Sequence, residues 1–249
     1  MRFLITQLIL LSMCLVKSQA QRYSLFIEAK HLTWNVLYDY SHMSPAMVSY
    51  ILDESDFRGT IKDKPKHFKM DYRLPPPRVK NSAFSFSGYQ RGHLCPSGDR
   101  DSRKDWFKDT FYTSNIVPMT PSTNAGTWKE TEVFCRRLAS QGHRLKIACG
   151  PVWNFPLESL MIDAADDLVN VIQDGTDGLQ IVVQPPLANR PPALWKVAKC
   201  QVHQFEVYCW LVPNDMKYRP QSGCAIPADS LTRWLDPVTI QHLRLWLKK

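Results

Sequence analysis

GYQRGHLCPSGDR, from Gly88 to Arg100, holds two arginines, a histidine, three glycines, a proline, a cysteine and one acid in thirteen residues. It carries neither the 3.6-residue nor the 2-residue apolar period, so it reads as a loop, not a simple helix or strand. The question is whether the loop is a structural turn or a catalytic one. Gly92 lets the backbone turn sharply, and Pro96 and Gly98 read as the turn that presents His93. Arg91 suits either a phosphate or a neighbouring carboxylate. A histidine titrating near neutrality is the usual side chain for taking a proton from water. A lone histidine serves structure just as well, and Asp99 with Arg100 reads as a local ion pair.

Outward from this loop the chain divides into short elements. HLTWNVLYDY and AMVSYIL read as strands with a turn at Ser44-Pro45, followed by a lysine-rich stretch and the Pro75–Pro77 run, which no helix or central strand accepts. SRKDWFKDT is a short helix, and FYTSNIVPM is strand-like and ended by prolines. Asn124 to Gln141 is the clearest helix. Ser122, Thr123 and Asn124 are all cap residues, Trp128, Thr131, Cys135 and Leu138 share a face, and Gly142 stands where the helix stops. LKIACGPVW, GLQIVVQPP, LWKVAKC and FEVYCWLVP read as strands, and PADSLTRWLDPVTIQHLRLWLKK as a terminal helical pair. Strands flanking one central helix imply an α+β domain, a mostly antiparallel sheet with flanking helices.

The N-terminus, MRFLITQLILLSMCLVKSQA, places one arginine before an apolar run and small residues at Ser18 and Ala20, the pattern of a signal peptide spanning 1–20. This implies a secreted or periplasmic protein, with a mitochondrial leader or an uncleaved anchor as the alternative. No later run is apolar for long enough to span a bilayer, so no stable membrane association is expected. Residues 21–249 then form a single domain. Removing Arg2 and Lys17 leaves 29 of the 31 Lys+Arg against 23 Asp+Glu, a net charge of +6 that favours a polyanionic partner without requiring one. Six of the seven cysteines remain, an even count that suggests disulfides in a secreted chain, with Cys200 and Cys209 the first pair to expect across a hairpin. No CxxC or HxxxH spacing suggests zinc. Nothing in the sequence marks an oligomer interface.

RGHLCPSGDR, then FYTSNIVPM, NAGTWKETE, CGPVW and LWKV, in that order between about Tyr38 and Pro213, closely resemble the DNA/RNA non-specific endonucleases, whose active site is a ββα-metal (His-Me finger) motif. The resemblance implies a nuclease acting on both DNA and RNA with little sequence preference. It implies that His93 is the general base and that Asn124 is the one direct protein ligand of Mg2+, or of Mn2+ in its place. It implies Glu132 near the hydrated ion, Asn115 supporting the site, and Arg91 near the phosphate or bracing the loop. A basic residue of the lysine-rich region contacts substrate in the family, and Lys66 and Arg58 both qualify. A neutral oxygen ligand with retained waters suits magnesium, and a helix N-terminus at Asn124 would favour a phosphate. Glu132 lies eight residues on, roughly 12 Å along a helix axis and about 80° round, so it must reach back or act through water. Read without the family, Asn124 is a helix cap and Asn115 satisfies backbone groups in a turn.

One position departs from the pattern. The family loop opens with aspartate where this chain has Gln90, which keeps hydrogen-bonding capacity but loses a charge. The expectation is an active enzyme with altered pH or metal dependence. A catalytically weakened nucleic-acid-binding homologue of the same fold is the alternative.

Overall fold

The computed structural model describes residues 26–59, 61, 65–85, 87–154, 190–200 and 207–248. Its frame is a six-stranded sheet in the order β1-β2-β3-β6-β7-β8, antiparallel at every pairing. The strands are β1 (Phe26–Lys30), β2 (Trp34–Asp39), β3 (Ser44–Leu52), β6 (Leu145–Val152), β7 (Ala193–Cys200) and β8 (Val207–Pro213). A second ribbon pairs β4 (Gln90–His93) with β5 (Ile116–Met119). The helices are α1 (Lys104–Asp109), α2 (Trp128–Ser140) and α3 (Pro237–Lys248). This is the α+β architecture expected, and no helix among the described residues is long and apolar enough to cross a membrane.

Both faces of the sheet are covered, which is why its central strands are apolar at nearly every position. Trp34, Val36, Val48, Tyr50, Ile147, Cys149, Leu194 and Trp210 point to one side, against Leu94, Val117 and Met119 of the ribbon region and Trp128, Cys135 and Ala139 of α2. Leu37, Met47, Ala148, Trp195, Val197 and Cys209 point to the other, against Leu231, Leu235 and Leu243 of the C-terminal segment. The site is therefore mounted on one face of a sheet whose other face is closed by α3.

Several expectations shift. The first turn lies before Ser44, with Met43 at φ 49°. Ser44 and Pro45 already pair with β2, and Pro45 is tolerated because β6 joins β3 only from Val48 onward. The expected disulfides are absent: all six described cysteines are buried free thiols. Cys209 stands opposite Val197 in the ladder, so Cys200, three residues away, projects to the opposite face. Cys200 accordingly sits in one core and Cys209 in the other. The GLQIVVQPP strand and the 1–20 leader lie outside the described residues.

Candidate active site

The opening loop begins as a strand. Gln90, Arg91, Gly92 and His93 pair with Met119, Pro118, Val117 and Ile116. Glycine is needed at 92 for close approach, not for a turn, since a Cβ there would lie 2.2 Å from the Met119 sulfur. His93 ends the strand. Its carbonyl accepts the Trp128 indole N–H at 3.0 Å, and its ring lies edge-on to Phe111 at 5.0 Å and tilted to Phe68 at 5.4 Å. Trp128, wholly buried at the start of α2, thus ties the helix to the histidine's backbone.

Asn115 is a staple. Its Oδ1 accepts the Cys95 N–H at 2.8 Å, while its Nδ2 donates to the Cys95 carbonyl at 2.8 Å and the Thr110 carbonyl at 2.9 Å. Its own carbonyl accepts the Leu94 N–H at 2.9 Å. It has no solvent exposure, and its amide is spent on the main chain of the residues after His93. The turn-satisfying reading of Asn115 is the one its geometry matches.

Asn124 does not begin a regular helix. Thr123–Thr127 form one wide π-helical turn, with Gly126 at φ −105°, ψ −108°, before α2 begins at Trp128. The expected helix start at Asn124 therefore moves four residues on. Neighbouring groups pin this turn: the Asn124 N–H donates to the Thr120 carbonyl at 2.9 Å, and Ser122 Oγ donates to the Asp215 carbonyl at 2.7 Å. Buried Asn214 accepts the Thr120 N–H at 2.9 Å and donates to the Pro118 and Pro191 carbonyls, both at 2.9 Å. The side chain of Asn124 donates through Nδ2 to Gln90 Oε1 at 2.7 Å. That commits the nitrogen end of the amide and presents its oxygen as the end able to meet a cation. Among the described residues no three His, Cys, Asp or Glu side chains cluster as a metal cage. A single carboxamide oxygen fits a hard, mostly hydrated ion such as Mg2+ and does not fit zinc.

Glu132 lies one turn beyond Trp128, with its side chain 16% exposed and 3.8 Å from Arg136. Burial pushes its carboxyl up to about 7, against the pull of Lys196, Arg136 and Lys129, with Asp99 adding to the rise. Lys196 is fully buried, its Nζ 4.0 Å from the Trp128 ring centroid. The sign for stability follows from the raised value. Between its ordinary pKa and about 7 the folded state binds the proton more tightly than the unfolded chain does, so Glu132 costs stability as pH rises through that window. Glu132→Gln is expected to match wild type at about pH 4 and to be more stable above pH 7, by up to about 3 kcal/mol. Urea melts in chelator at the two pH values check this, and equal stability at pH 8 would refute it.

The remaining candidates are placed as follows. The Arg91 guanidinium donates to the Asn81 side chain at 2.9 Å and to the Asn81 carbonyl and Ser85 hydroxyl at 3.1 Å, which is bracing of the loop. Lys66 is exposed, two residues before the Phe68 that touches His93, in a segment fixed by Lys69 N–H to Phe111 carbonyl at 2.9 Å. Arg58 pairs with Glu54. Asp99 and Arg100 do not pair side chain to side chain as expected: Asp99 takes Arg136 at 2.5 Å and Tyr50 at 3.1 Å, and buried Arg100 takes Asp56 at 3.1 Å. Sequence reading missed Asn214, Lys196 and the Trp128–His93 bond. Only Lys196 left a signal, as a lysine flanked by apolar residues on both sides in its strand.

A family model described as DNA/RNA non-specific endonuclease matches residues 23–238. The Danio rerio mitochondrial nuclease EXOG is 34% identical over 50% of this chain and 37% of its own length. A Nostoc nuclease is 42% identical over 36% of this chain and 33% of its own. Human mitochondrial endonuclease G is 30% identical over 30% of this chain and 26% of its own. The matched stretch thus spans about a third of these relatives or less. An EndoG chain from a complex with its inhibitor EndoGI superposes with a TM-score of 0.65 at 23% identity, covering 83% of this chain and 82% of that one, a likeness of fold. The relatives also correct the secreted or periplasmic destination expected from the leader, because EXOG, endonuclease G and a Saccharomyces cerevisiae relative are mitochondrial. Physically, residues 1–20 contain no acid, one arginine near the start and several hydroxylated residues, features that mitochondrial leaders share with secretory ones.

Proposed function

Because the chain belongs to the DNA/RNA non-specific endonuclease family, we propose that it hydrolyses phosphodiester bonds of both DNA and RNA with a divalent cation, Mg2+ or Mn2+, held by Asn124. The observation that carries the reading is the ββα unit itself: β4 ends in His93, and the turn carrying Asn124 is hydrogen-bonded to the first residue of the same strand. In this reading His93 takes the proton from the attacking water. Its backbone is held by Trp128 and its ring by Phe68 and Phe111, so the imidazole meets the water already oriented. When bound, the cation supplies positive charge to the phosphoryl oxygens and the leaving 3′ oxygen. Asn115 and Arg91 act as braces for the strand end. Exposed Lys66 borders the histidine through Phe68 and contacts the phosphate backbone, a role supported by the net formal charge of +8 on the whole chain.

Incubation of the protein with plasmid DNA and with RNA, in Mg2+ and in chelator, tests the reading. Degradation of both polymers in Mg2+, abolished by chelator and weakened steeply by salt, is the expected result. Degradation that persists in chelator overturns the metal assignment. Binding with no degradation in any divalent metal favours the catalytically weakened homologue, the alternative that Gln90 in the family's aspartate position raises.

A further inference from the structure

Asn124 offers a cation either end of a carboxamide, and only one end can coordinate. Oxygen and NH2 are nearly alike in shape, so the hydrogen-bond partner decides which end faces outward. The backbone of Asn124 is pinned at Thr120, and the entry to the wide turn that holds it is tied to Asp215 and Asn214 through Ser122 and Thr120. What this leaves is the side-chain rotor. Gln90 Oε1 accepts the Asn124 Nδ2–H at 2.7 Å, the short end of the N–H···O range. Gln90 in turn is fixed at the first register position of the ribbon, opposite Met119.

We infer that Gln90 is a positioning residue for the cation: its carbonyl holds the amide nitrogen of Asn124 and thereby turns the Asn124 oxygen toward the metal. This rests on the reading of Asn124 as the ligand. It also explains how the chain tolerates glutamine where the family loop has aspartate. The orienting task needs an acceptor at this place and not a charge, and a neutral acceptor performs it without adding a negative charge beside the ion. Glutamate there would accept the same N–H more strongly and add attraction for the cation. Methionine, of similar length, accepts only weakly and leaves the amide free to rotate.

Mn2+ titrations of the full chain without nucleic acid, followed by calorimetry or water-proton relaxation, test the inference on wild type, Gln90→Met, Gln90→Glu and Asn124→Ala. Loss of a side chain that orients a ligand typically weakens a metal by about 10- to 100-fold, and the exposure of this bond points to the lower end, about tenfold for Gln90→Met. Gln90→Glu is expected to bind at least as tightly as wild type, and thermal melts of both variants are expected to overlay the wild-type curve in chelator. Wild-type affinity in Gln90→Met, or a Gln90→Glu as weak as Gln90→Met, overturns the positioning role. An Asn124→Ala that binds Mn2+ like wild type overturns the ligand assignment beneath it instead, so the two failures are distinguishable.

Discussion

His93→Ala is expected to slow cleavage of DNA and RNA by about 10^2- to 10^4-fold, the loss typical of a positioned general base. The effect should fall on kcat, because the proposed function assigns the substrate's charge to Lys66 and the cation. The structure gives reason to expect the variant to fold. The strand that carries the residue is held by main-chain pairing from Gln90 to His93, and Trp128 grips the His93 carbonyl, which alanine keeps. The substitution removes the ring contacts with Phe68 and Phe111 and leaves those main-chain bonds in place. Mn2+ affinity should be unchanged, since the ligand is assigned to Asn124. Added imidazole should restore part of the rate if the missing function is proton transfer. A variant that cleaves within a factor of ten of wild type would remove His93 from the chemistry.

How much of this was legible in the sequence depends on where each residue's partners lie. Strands β2, β3 and β6 to β8 announce themselves because both sheet faces are covered, leaving long apolar runs. The helix face of Trp128, Thr131, Cys135 and Leu138 is local periodicity: the first three are buried, and Leu138 packs partly buried against the same core. β4 was not legible as a strand, because four residues with a glycine and an arginine take their partners from Ile116–Met119, well along the chain. Nor was the wide turn at Thr123–Thr127, which depends on Asp215 and Asn214, some ninety residues away. Cysteine count misled for a geometric reason: spacing brought Cys200 and Cys209 to adjacent strands, but strand parity turned them to opposite faces. Lys196 shows the reverse case. An apolar strand pattern hides that the first of its two lysines points inward, over Trp128 and beside Glu132. The names of the candidate site residues were legible from the motifs. Whether each one brackets backbone or faces substrate was not, because that is set by contacts from other segments.

Asn115→Ala follows from that distinction and is expected to be among the most destabilising single changes in the protein. The substitution orphans three buried main-chain groups at once: the Cys95 N–H, the Cys95 carbonyl and the Thr110 carbonyl. Each unsatisfied buried group costs about 1–3 kcal/mol. Partial relaxation or an entering water reduces the sum, so about 3–5 kcal/mol is the expected loss, a large part of the roughly 5–15 kcal/mol a domain has. At about 2–4 °C per kcal/mol for a chain of this size, Tm should fall by about 6–20 °C. Asn115→Asp should fare no better. It keeps an acceptor for the Cys95 N–H but sets oxygen against two carbonyls that need donors. Urea unfolding in chelator measures the loss, and a change under 1 kcal/mol would contradict the staple. The same variant separates bracing from coordination. At a temperature where Asn115→Ala remains folded, its Mn2+ affinity should equal wild type while kcat falls, because Leu94 and Cys95 directly follow His93 and no longer hold its place.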